Sequence, residues 1–271
     1  MNLNTVTAVK RPASPDDVGP WRDGYSWLAG GTWLFSEPQV AVDTLIDLDS
    51  FGWTPLTVSE KGLEIAATCR IVDLHNFKAP ADWRAVPLFQ NCIDSFLMSF
   101  KIWNAATVGG NVCMSLPAGA MVSLTAGLEG ICTLWPPGGS PREVPVVDFV
   151  TGMHQNVLQK GELLRSILLP ASALKKRHAM RQASLTKLGR SAALIIAAVG
   201  DKGDDFLLTV SAATPRPVHL RFARTPSAAE LRHALDERLP EGAWFADVHG
   251  SAPYKRHVTH YLAEEIRTEL S

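Results

Sequence analysis

The sequence predicts an α+β fold, in which strands pair with neighbours along the chain and helices lie between the hairpins. Residues 56–67 carry the clearest hairpin, since apolar and polar positions alternate on both sides of a turn at 59–62. A second hairpin is predicted where the apolar runs 193–199 and 206–210 flank a turn. Over 86–100 the apolar spacing changes to three and four residues, which predicts a helix.

The chain before the first hairpin predicts two short strands, over 25–29 and 44–48. Thr32 is placed to cap a helix between them that Pro38 would end early. After the hairpin, Thr68 has the same predicted role for a short helix over 71–77.

The middle of the chain predicts a helix over 118–128, a hairpin of 131–135 with 143–147, and a strand over 163–169. A boundary is predicted at 171–176, where small and basic residues follow a proline. The sequence pattern restarts beyond that point.

Two capping patterns predict the helices of the C-terminal part. Ser227 and Glu230 have the spacing of a capping box, which predicts a helix to Leu239. Ser251 and Pro253 predict the start of the last helix.

The composition argues against several classes of partner. The 271 residues carry a formal net charge of −1, which gives no electrostatic case for nucleic acid or an anionic membrane. Residues 1–12 lack the apolar core of a signal peptide, and the longest apolar run, 192–199, is too short to cross a bilayer. The four cysteines are scattered without a Cys-x-x-Cys pair. They argue against a zinc or iron–sulfur site in this chain and predict a cytoplasmic protein.

Two glycine-rich stretches are the strongest candidates for binding. The first glycine segment, residues 28–34, and the second glycine segment, residues 104–117, each contain adjacent glycines beside polar side chains. Successive backbone amides in such a turn form a concave surface that binds anions, so two segments suit two phosphates or one pyrophosphate. Neither has the Walker or Rossmann spacing, and a Gly-Gly turn alone is weak evidence for a ligand.

The remaining polar residues form no catalytic constellation. The basic residues of 175–181 are interpreted as a solvated linker, with the alternative that Arg181, beside an apolar stretch, lies near a cofactor. His257 and His260 lack a third metal ligand and are interpreted as a solvated pair. No nucleophile elbow or paired carboxylates are present. This pattern favours chemistry that belongs to a bound cofactor.

The glycine segments resemble two signatures of one family, the FAD-binding medium subunits of molybdenum hydroxylases such as carbon monoxide dehydrogenase and xanthine dehydrogenase. Residues 29–32, Ala-Gly-Gly-Thr, match the first signature, and residues 106–111, Ala-Thr-Val-Gly-Gly-Asn, match the second. Further segments resemble the family in the same order: 63–68, 161–170, 181–184 and 251–256. The resemblance covers nearly the whole chain.

The resemblance implies a two-subdomain FAD-binding fold of the PCMH type, with subdomains over 1–53 and 54–172. A C-terminal α+β domain with a small antiparallel sheet would follow over 176–271. The implied function is electron transfer: FAD would accept electrons from an iron–sulfur small subunit, which a molybdopterin-binding large subunit supplies. The flavin would then reduce a final acceptor, such as NAD, oxygen or a quinone.

The resemblance also implies which residues bind the cofactor. Both glycine segments would line the FAD pyrophosphate, whereas Leu164 and Arg181 would approach the adenine or isoalloxazine ring. The implied set is Ala29, Gly30, Gly31, Thr32, Trp33, Leu34, Thr107, Gly109, Gly110, Asn111, Leu164 and Arg181.

Several positions depart from the family pattern. Ala120 stands where an aspartate usually helps to hold FAD, and Leu116 replaces a serine. Trp33 and Trp103 also replace polar residues. A carboxylate restored at position 120 is therefore expected to raise flavin occupancy.

Two alternative functions arise from these departures and from the missing catalytic groups. A flavin-poor structural subunit that docks partners is favoured by the lost aspartate and opposed by the retention of both glycine segments. A stand-alone flavin oxidase or reductase is disfavoured, because the sequence offers no catalytic acid or base.

Overall fold

A computed structural model describes residues 3–271 of the protein, so Met1 and Asn2 of the first predicted subdomain lie outside the described residues. Within that range three main sheets follow one another along the chain, with helices between and around them. The predicted α+β class is confirmed. No helix over these residues has both the length and the apolarity of a membrane span.

The first sheet is small and parallel. Its strands are β1 (Ala8–Lys10), β2 (Tyr25–Leu28) and β3 (Thr44–Asp47), in the order β1-β3-β2. The central strand buries Leu45 and Ile46. The first glycine segment runs from the end of β2, so its position is fixed by the pairing of Leu28 with Asp47.

The second sheet is antiparallel and belongs to the middle of the chain, where the two predicted hairpins are confirmed. The strands of this part are β4 (Leu56–Ser59), β5 (Gly62–Ala66), β6 (Ile131–Trp135), β7 (Arg142–Pro145), β8 (Val150–Gly152), β9 (Gln155–Asn156) and β10 (Leu163–Pro170). The sheet has the order β4-β5-β10-β6-β7, and β8 and β9 form a separate two-stranded ribbon.

The helices of this part bury the face of the second sheet. They are α1 (Ile71–His75), α2 (Val86–Asp94), α3 (Phe100–Trp103), α4 (Val108–Met114), α5 (Ala120–Gly127), α6 (Val146–Phe149) and α7 (Ala171–Lys175). Every residue of α5 is buried, because Leu194 and Ile196 of the third sheet join the same core. A helix buried on all sides has no need of a polar face.

The third sheet is an antiparallel meander followed by two helices. Its elements are β11 (Arg177–Ser184), β12 (Ser191–Val199), β13 (Asp204–Ser211), β14 (Val218–Arg224), α8 (Ala228–Arg238) and α9 (Ala252–Leu270). The Ser227 capping box and the Ser251 cap are confirmed. Strand β12 is buried on both faces, since Leu194 packs towards α5 and Ile195 joins the core with α8 and α9.

Two predicted helix caps are wrong. At Thr32 no helix forms, because the preceding Gly31 has φ of +67° and the chain continues as turns. Thr68 does not cap α1, which begins after Arg70; the amide of Ile71 instead donates to the backbone of Ala106 at 2.9 Å. In both places a tertiary contact or a glycine conformation replaces the local side-chain cap.

The predicted helix over 86–100 is wrong beyond Asp94. There α2 ends, and the Ser95 hydroxyl donates to the carbonyl of Cys92 at 2.7 Å. Beyond that point the apolar residues of the pattern do not share one buried face, since Phe96 packs against the core whereas Leu97 is 48% and Phe100 is 69% exposed. Residues 95–98 form a loop instead, and this loop reaches the candidate site.

The basic stretch over 175–181 is not a solvated linker. Lys175 ends the short helix α7, and β11 follows along the edge of β12. The domain limits predicted at 53/54 and 172/176 fall between the three sheets, and the division into domains stays a prediction.

Candidate functional site

A cleft of about 780 Å³ is lined by all three parts of the chain. The lining segments are 26–34 at the end of β2, 95–98 after α2, much of 106–119 around α4, 162–164 at the start of β10, 190–191 at the start of β12, and 245–249 between α8 and α9. Eleven of the twelve predicted binding residues line this cleft: Ala29, Gly30, Gly31, Thr32, Trp33, Leu34, Thr107, Gly109, Gly110, Asn111 and Leu164.

The first glycine segment presents free backbone donors to the cleft. Gly31 has φ of +67°, a backbone conformation that residues other than glycine rarely adopt. No amide of residues 30–34 has a hydrogen-bond acceptor among the described residues. Consecutive unpaired amides in a turn form a concave surface suited to an anion.

The two glycine segments meet at Gly30. A Cβ at this position would lie 1.9 Å from the carbonyl oxygen of Ala105, so only glycine permits this approach. The contact brings the first glycine segment against the entry to α4. Segments about 75 positions apart in the sequence thereby share one wall of the cleft.

The adjacent glycines of the second glycine segment lie in the first turn of α4, so the interpretation of this segment as an anion-binding turn is wrong. Thr107 is the N-cap, and its Oγ1 accepts the amide of Gly110 at 3.0 Å. The amides of residues 108, 109 and 111 donate to backbone carbonyl groups at 2.8, 3.2 and 3.1 Å. The first turn of α4 therefore has no free amide to offer a ligand.

The glycines of α4 serve close packing instead. A Cβ at Gly109 would lie 2.5 Å from the Cα of Ala67, beside β5. At Gly110 a Cβ would lie 2.9 Å from the Thr107 hydroxyl that caps the helix. Glycine thus lets α4 lie against the second sheet and keep its cap.

Asn111 connects α4 to the next helix. Its Oδ1 accepts the amide of Met121 in the first turn of α5 at 3.1 Å. The side chain lines the cleft, and its amide nitrogen has no acceptor among the described residues. This leaves one side-chain donor for a ligand.

Ala120 does not face the cleft. It is 1% exposed in the shared core, whereas the neighbouring Gly119 lines the wall. An aspartate at position 120 would bury a charge without a partner, which is strongly unfavourable. The expectation that a carboxylate there would raise flavin occupancy therefore does not fit the structure.

The structure separates Arg181 from the other predicted residues. Arg181 lies on β11 and donates to Glu269 of α9 at 2.6 Å, outside the cleft. Arg190, which the sequence analysis did not single out, lines the cleft and forms no ion pair with another described residue. Arg190, nine residues after Arg181 in the chain, therefore supplies the unpaired positive charge of the cleft.

An ion pair with a buried carboxylate lies at the cleft near Leu164. The carboxylate of Glu162 accepts two hydrogen bonds from the Arg142 guanidinium, both at 2.7 Å, and a third from the amide of Gln159 at 3.0 Å. The Arg142 contact lowers the pKa of the Glu162 carboxyl. Glu162 lines the cleft as an anion already paired, so it adds little repulsion towards an anionic ligand.

Two lining segments escaped the sequence analysis. Residues 95–98 sat inside a predicted helix, and residues 245–249 carried no recognisable motif. Their side chains give the cleft much of its apolar surface, including Phe96, Met98 and Val248. The only local signal for the second segment is Gly250, whose φ of +155° favours glycine at the end of the turn.

A family model for the FAD-binding domain in molybdopterin dehydrogenase matches residues 12–172, more than half of the chain. The protein belongs to this family. FAD is accordingly its cofactor, and the resemblance found in the glycine segments is confirmed. Residues 26–34 and 106–119 of the cleft both fall within the matched range.

Known relatives extend the similarity. A xanthine dehydrogenase from Oryza sativa subsp. japonica is 26% identical over 121 residues, which cover 42% of this chain and 9% of the rice protein. The match therefore spans about a tenth of the length of that curated relative.

Solved structures share the fold over nearly the whole chain. Carbon monoxide dehydrogenase from Hydrogenophaga pseudoflava gives a TM-score of 0.79 at 18% identity, covering 96% of this chain and 95% of that chain. The enzyme from Oligotropha carboxidovorans gives 0.78 at 19% identity over 97% and 98%. Quinoline 2-oxidoreductase from Pseudomonas putida 86 gives 0.77 at 16% identity over 97% and 95%.

The cleft fits FAD by its own chemistry. Unpaired amides over 30–34 and the free guanidinium of Arg190 suit a pyrophosphate. The apolar remainder of the lining suits flat ring systems. The departures at positions 116 and 120 do not remove these features.

Proposed function

We propose that this chain is the FAD-binding electron-transfer subunit of a multi-subunit, molybdopterin-dependent hydroxylase or dehydrogenase. The observation that carries the proposal is the cleft, where eleven predicted residues meet beside free backbone donors and an unpaired arginine. Bound FAD supplies the redox chemistry. The protein contributes binding, orientation and exclusion of water.

The residues of the cleft divide this work. The amides of 30–34 and Arg190 hold the pyrophosphate, and the side-chain amide of Asn111 donates one further hydrogen bond. Leu164 and the apolar residues of 95–98 cover the ring systems. Thr107 acts indirectly, because its hydroxyl caps the helix that carries Asn111.

The proposed partners are a large molybdopterin-binding subunit and a small iron–sulfur subunit in the cytoplasm. Support comes from the family and from the rice xanthine dehydrogenase, in which the matching stretch is 9% of a much longer protein. In this scheme the partners deliver electrons and the flavin passes them to a final acceptor. The division into units over 1–53, 54–172 and 176–271 belongs to the same proposal.

The first experiment measures flavin binding by the purified chain. Titration with FAD should give a saturable complex with altered visible absorbance, and Gly31→Val should weaken it, because a branched side chain is strained at φ of +67° and meets Phe35. Gly242→Ala is the control, since a Cβ there meets nothing within 4 Å. A folded wild-type chain that binds no FAD would support the structural-subunit alternative.

The second experiment tests the partners. The tagged chain is purified from its native host, and co-purifying proteins are identified by mass spectrometry. A cysteine-rich iron–sulfur subunit and a molybdopterin subunit are expected in a fixed ratio. Recovery of a lone chain that oxidises substrate unaided contradicts the subunit proposal.

A further inference from the structure

The segment between α8 and α9 forms a well-defined wall of the cleft. We name residues 245–250 the wall turn. Asp247 and Gly250 exchange two backbone hydrogen bonds, both of 3.2 Å, and the amide of His249 donates to Asp247 Oδ1 at 2.8 Å. The amide of Phe245 donates to the backbone of Ala213 at 2.9 Å, which connects the start of the wall turn to the segment between β13 and β14.

Lys255 anchors this turn from within the protein. It lies on α9 with 0% of its surface exposed. Its Nζ forms an ion pair with Asp247 Oδ1 at 2.9 Å and donates a hydrogen bond to the carbonyl of Ala212 at 3.2 Å. It also lies 5.3 Å from the centre of the Phe245 ring. The same carboxylate oxygen therefore receives a buried ammonium and the amide of His249.

The tip of the wall turn presents two chemically different side chains to the cleft. Val248 is 86% exposed and His249 is half-buried, and both line the cleft. The isopropyl group of Val248 and the imidazole ring of His249 offer a contact surface with little charge, and neither forms an ion pair with another described residue. Such a surface suits a planar ring better than a pyrophosphate.

We propose that Lys255 is a positioning residue of the cofactor cleft, which holds the wall turn so that Val248 and His249 contact a planar heteroaromatic ring of the bound ligand. The inference rests on the proposed function and deepens it. FAD has two such rings, adenine and isoalloxazine, and the experiment separates them. Without Lys255 the turn is mobile in the free protein, and binding must order it at a cost in affinity.

Lys255→Met keeps an unbranched side chain, shorter by one atom, and removes the ammonium. Its FAD affinity, measured well below its own unfolding temperature, should fall about tenfold. Lys176→Met is the matched control, because Lys176 is also largely buried and bonds to Glu129 and Asp205 at 2.8 and 2.6 Å, but lies outside the cleft. This control should unfold more easily and keep its FAD affinity within about twofold.

A second substitution separates positioning from general destabilisation. Asp247→Asn, combined with Lys255→Met, removes the half-buried carboxylate left without its cation and keeps an oxygen that accepts the His249 amide. The double variant should recover part of the lost affinity. Amide hydrogen exchange over 245–250 should rise in Lys255→Met and return towards wild type in the double variant.

His249→Ala identifies the ring. Titrations of this variant with ADP and with riboflavin should show weakened binding of one compound, and that compound carries the ring beside the wall turn. If neither His249→Ala nor Lys255→Met changes any of these affinities while wild type binds FAD, the inference is wrong. If wild type itself binds no FAD, the proposed function has failed instead.

Discussion

The two glycine segments share a Gly-Gly pair and a neighbouring threonine, yet the structure uses them in opposite ways. In the first, Gly31 takes a left-handed conformation and the amides of 30–34 stay free. In the second, Thr107 caps a helix and every amide from 108 to 111 is already bonded. The first segment can bind a ligand through its backbone, whereas the second supports the wall against which the ligand lies.

The difference arises from the residues on the C-terminal side of each glycine pair. After Gly31, the aromatic and proline-containing stretch to residue 38 does not continue a helix. After Gly110, residues 111–114 are compatible with helix, and the Thr107 hydroxyl satisfies the Gly110 amide. A glycine pair therefore indicates close approach of the backbone, and only the flanking residues decide whether its amides remain available.

Among the substitutions that test the difference between the two glycine segments, Ala120→Asp is expected to have the largest effect. The site lies in the core beneath the second glycine segment and is 1% exposed, so an unpaired carboxylate should lower the free energy of unfolding by about 3–5 kcal/mol. Urea unfolding measures this, and flavin occupancy should fall with the folded fraction. An increase in occupancy would mean that position 120 reaches the ligand after all.

The pH dependence of the same variant separates charge from size. Burial raises the pKa of a carboxyl in the folded state, so the unfolded chain loses its proton first as pH rises. The variant is therefore destabilised increasingly above about pH 4, the pKa of an unfolded aspartate. Ala120→Asn has the same size and should show no such slope.

Gly109→Ala tests the supporting role of the second segment. The new Cβ would lie 2.5 Å from the Cα of Ala67, so overpacking should cost about 1–3 kcal/mol of unfolding free energy. FAD affinity of the remaining folded protein should change little, because Gly109 lines the cleft but its new Cβ would be directed at Ala67. Gly242→Ala, in open space, should leave both quantities unchanged.

Local patterns predicted much of the fold correctly. The hairpins around 59–62 and 201–204, helix α5 and the Ser227 capping box all depend on neighbouring residues, and all are confirmed. Strand β14 was missed although Val218, Leu220 and Phe222 alternate with polar residues, which is a usable strand signal.

Tertiary contacts explain what the sequence could not predict about the cleft. Arg181 lies within β11 and Arg190 in the turn between β11 and β12, and only the packing of this hairpin brings one to α9 and the other to the cleft. The wall turn lines the cleft, and its Asp247 forms an ion pair with Lys255 on the helix that follows. No periodicity in residues 245–250 carries that information.

Arg190→Gln tests the binding role assigned to the first segment and its neighbouring charge. Loss of an unpaired cation from the same cleft as the free amides should weaken FAD binding about tenfold at low salt, and less at high salt because ions screen the interaction. Lys187→Gln is the control, since Lys187 lies in the same exposed loop but does not line the cleft. If the two variants weakened FAD binding equally, the effect would come from long-range electrostatics and not from a contact between Arg190 and the ligand.

Thr107→Val should give the smallest effect and the sharpest distinction between the segments. The substitution keeps the branched shape and removes the hydroxyl that accepts the Gly110 amide at 3.0 Å. Loss of this cap should cost about 1 kcal/mol of unfolding free energy, and Thr107→Ser should restore it. FAD affinity should stay within about twofold, because the freed amide faces a cleft where a phosphate or water can bond to it. If affinity instead falls tenfold while stability is preserved, the Thr107 hydroxyl binds the cofactor directly, and the second segment is a binding element equal to the first.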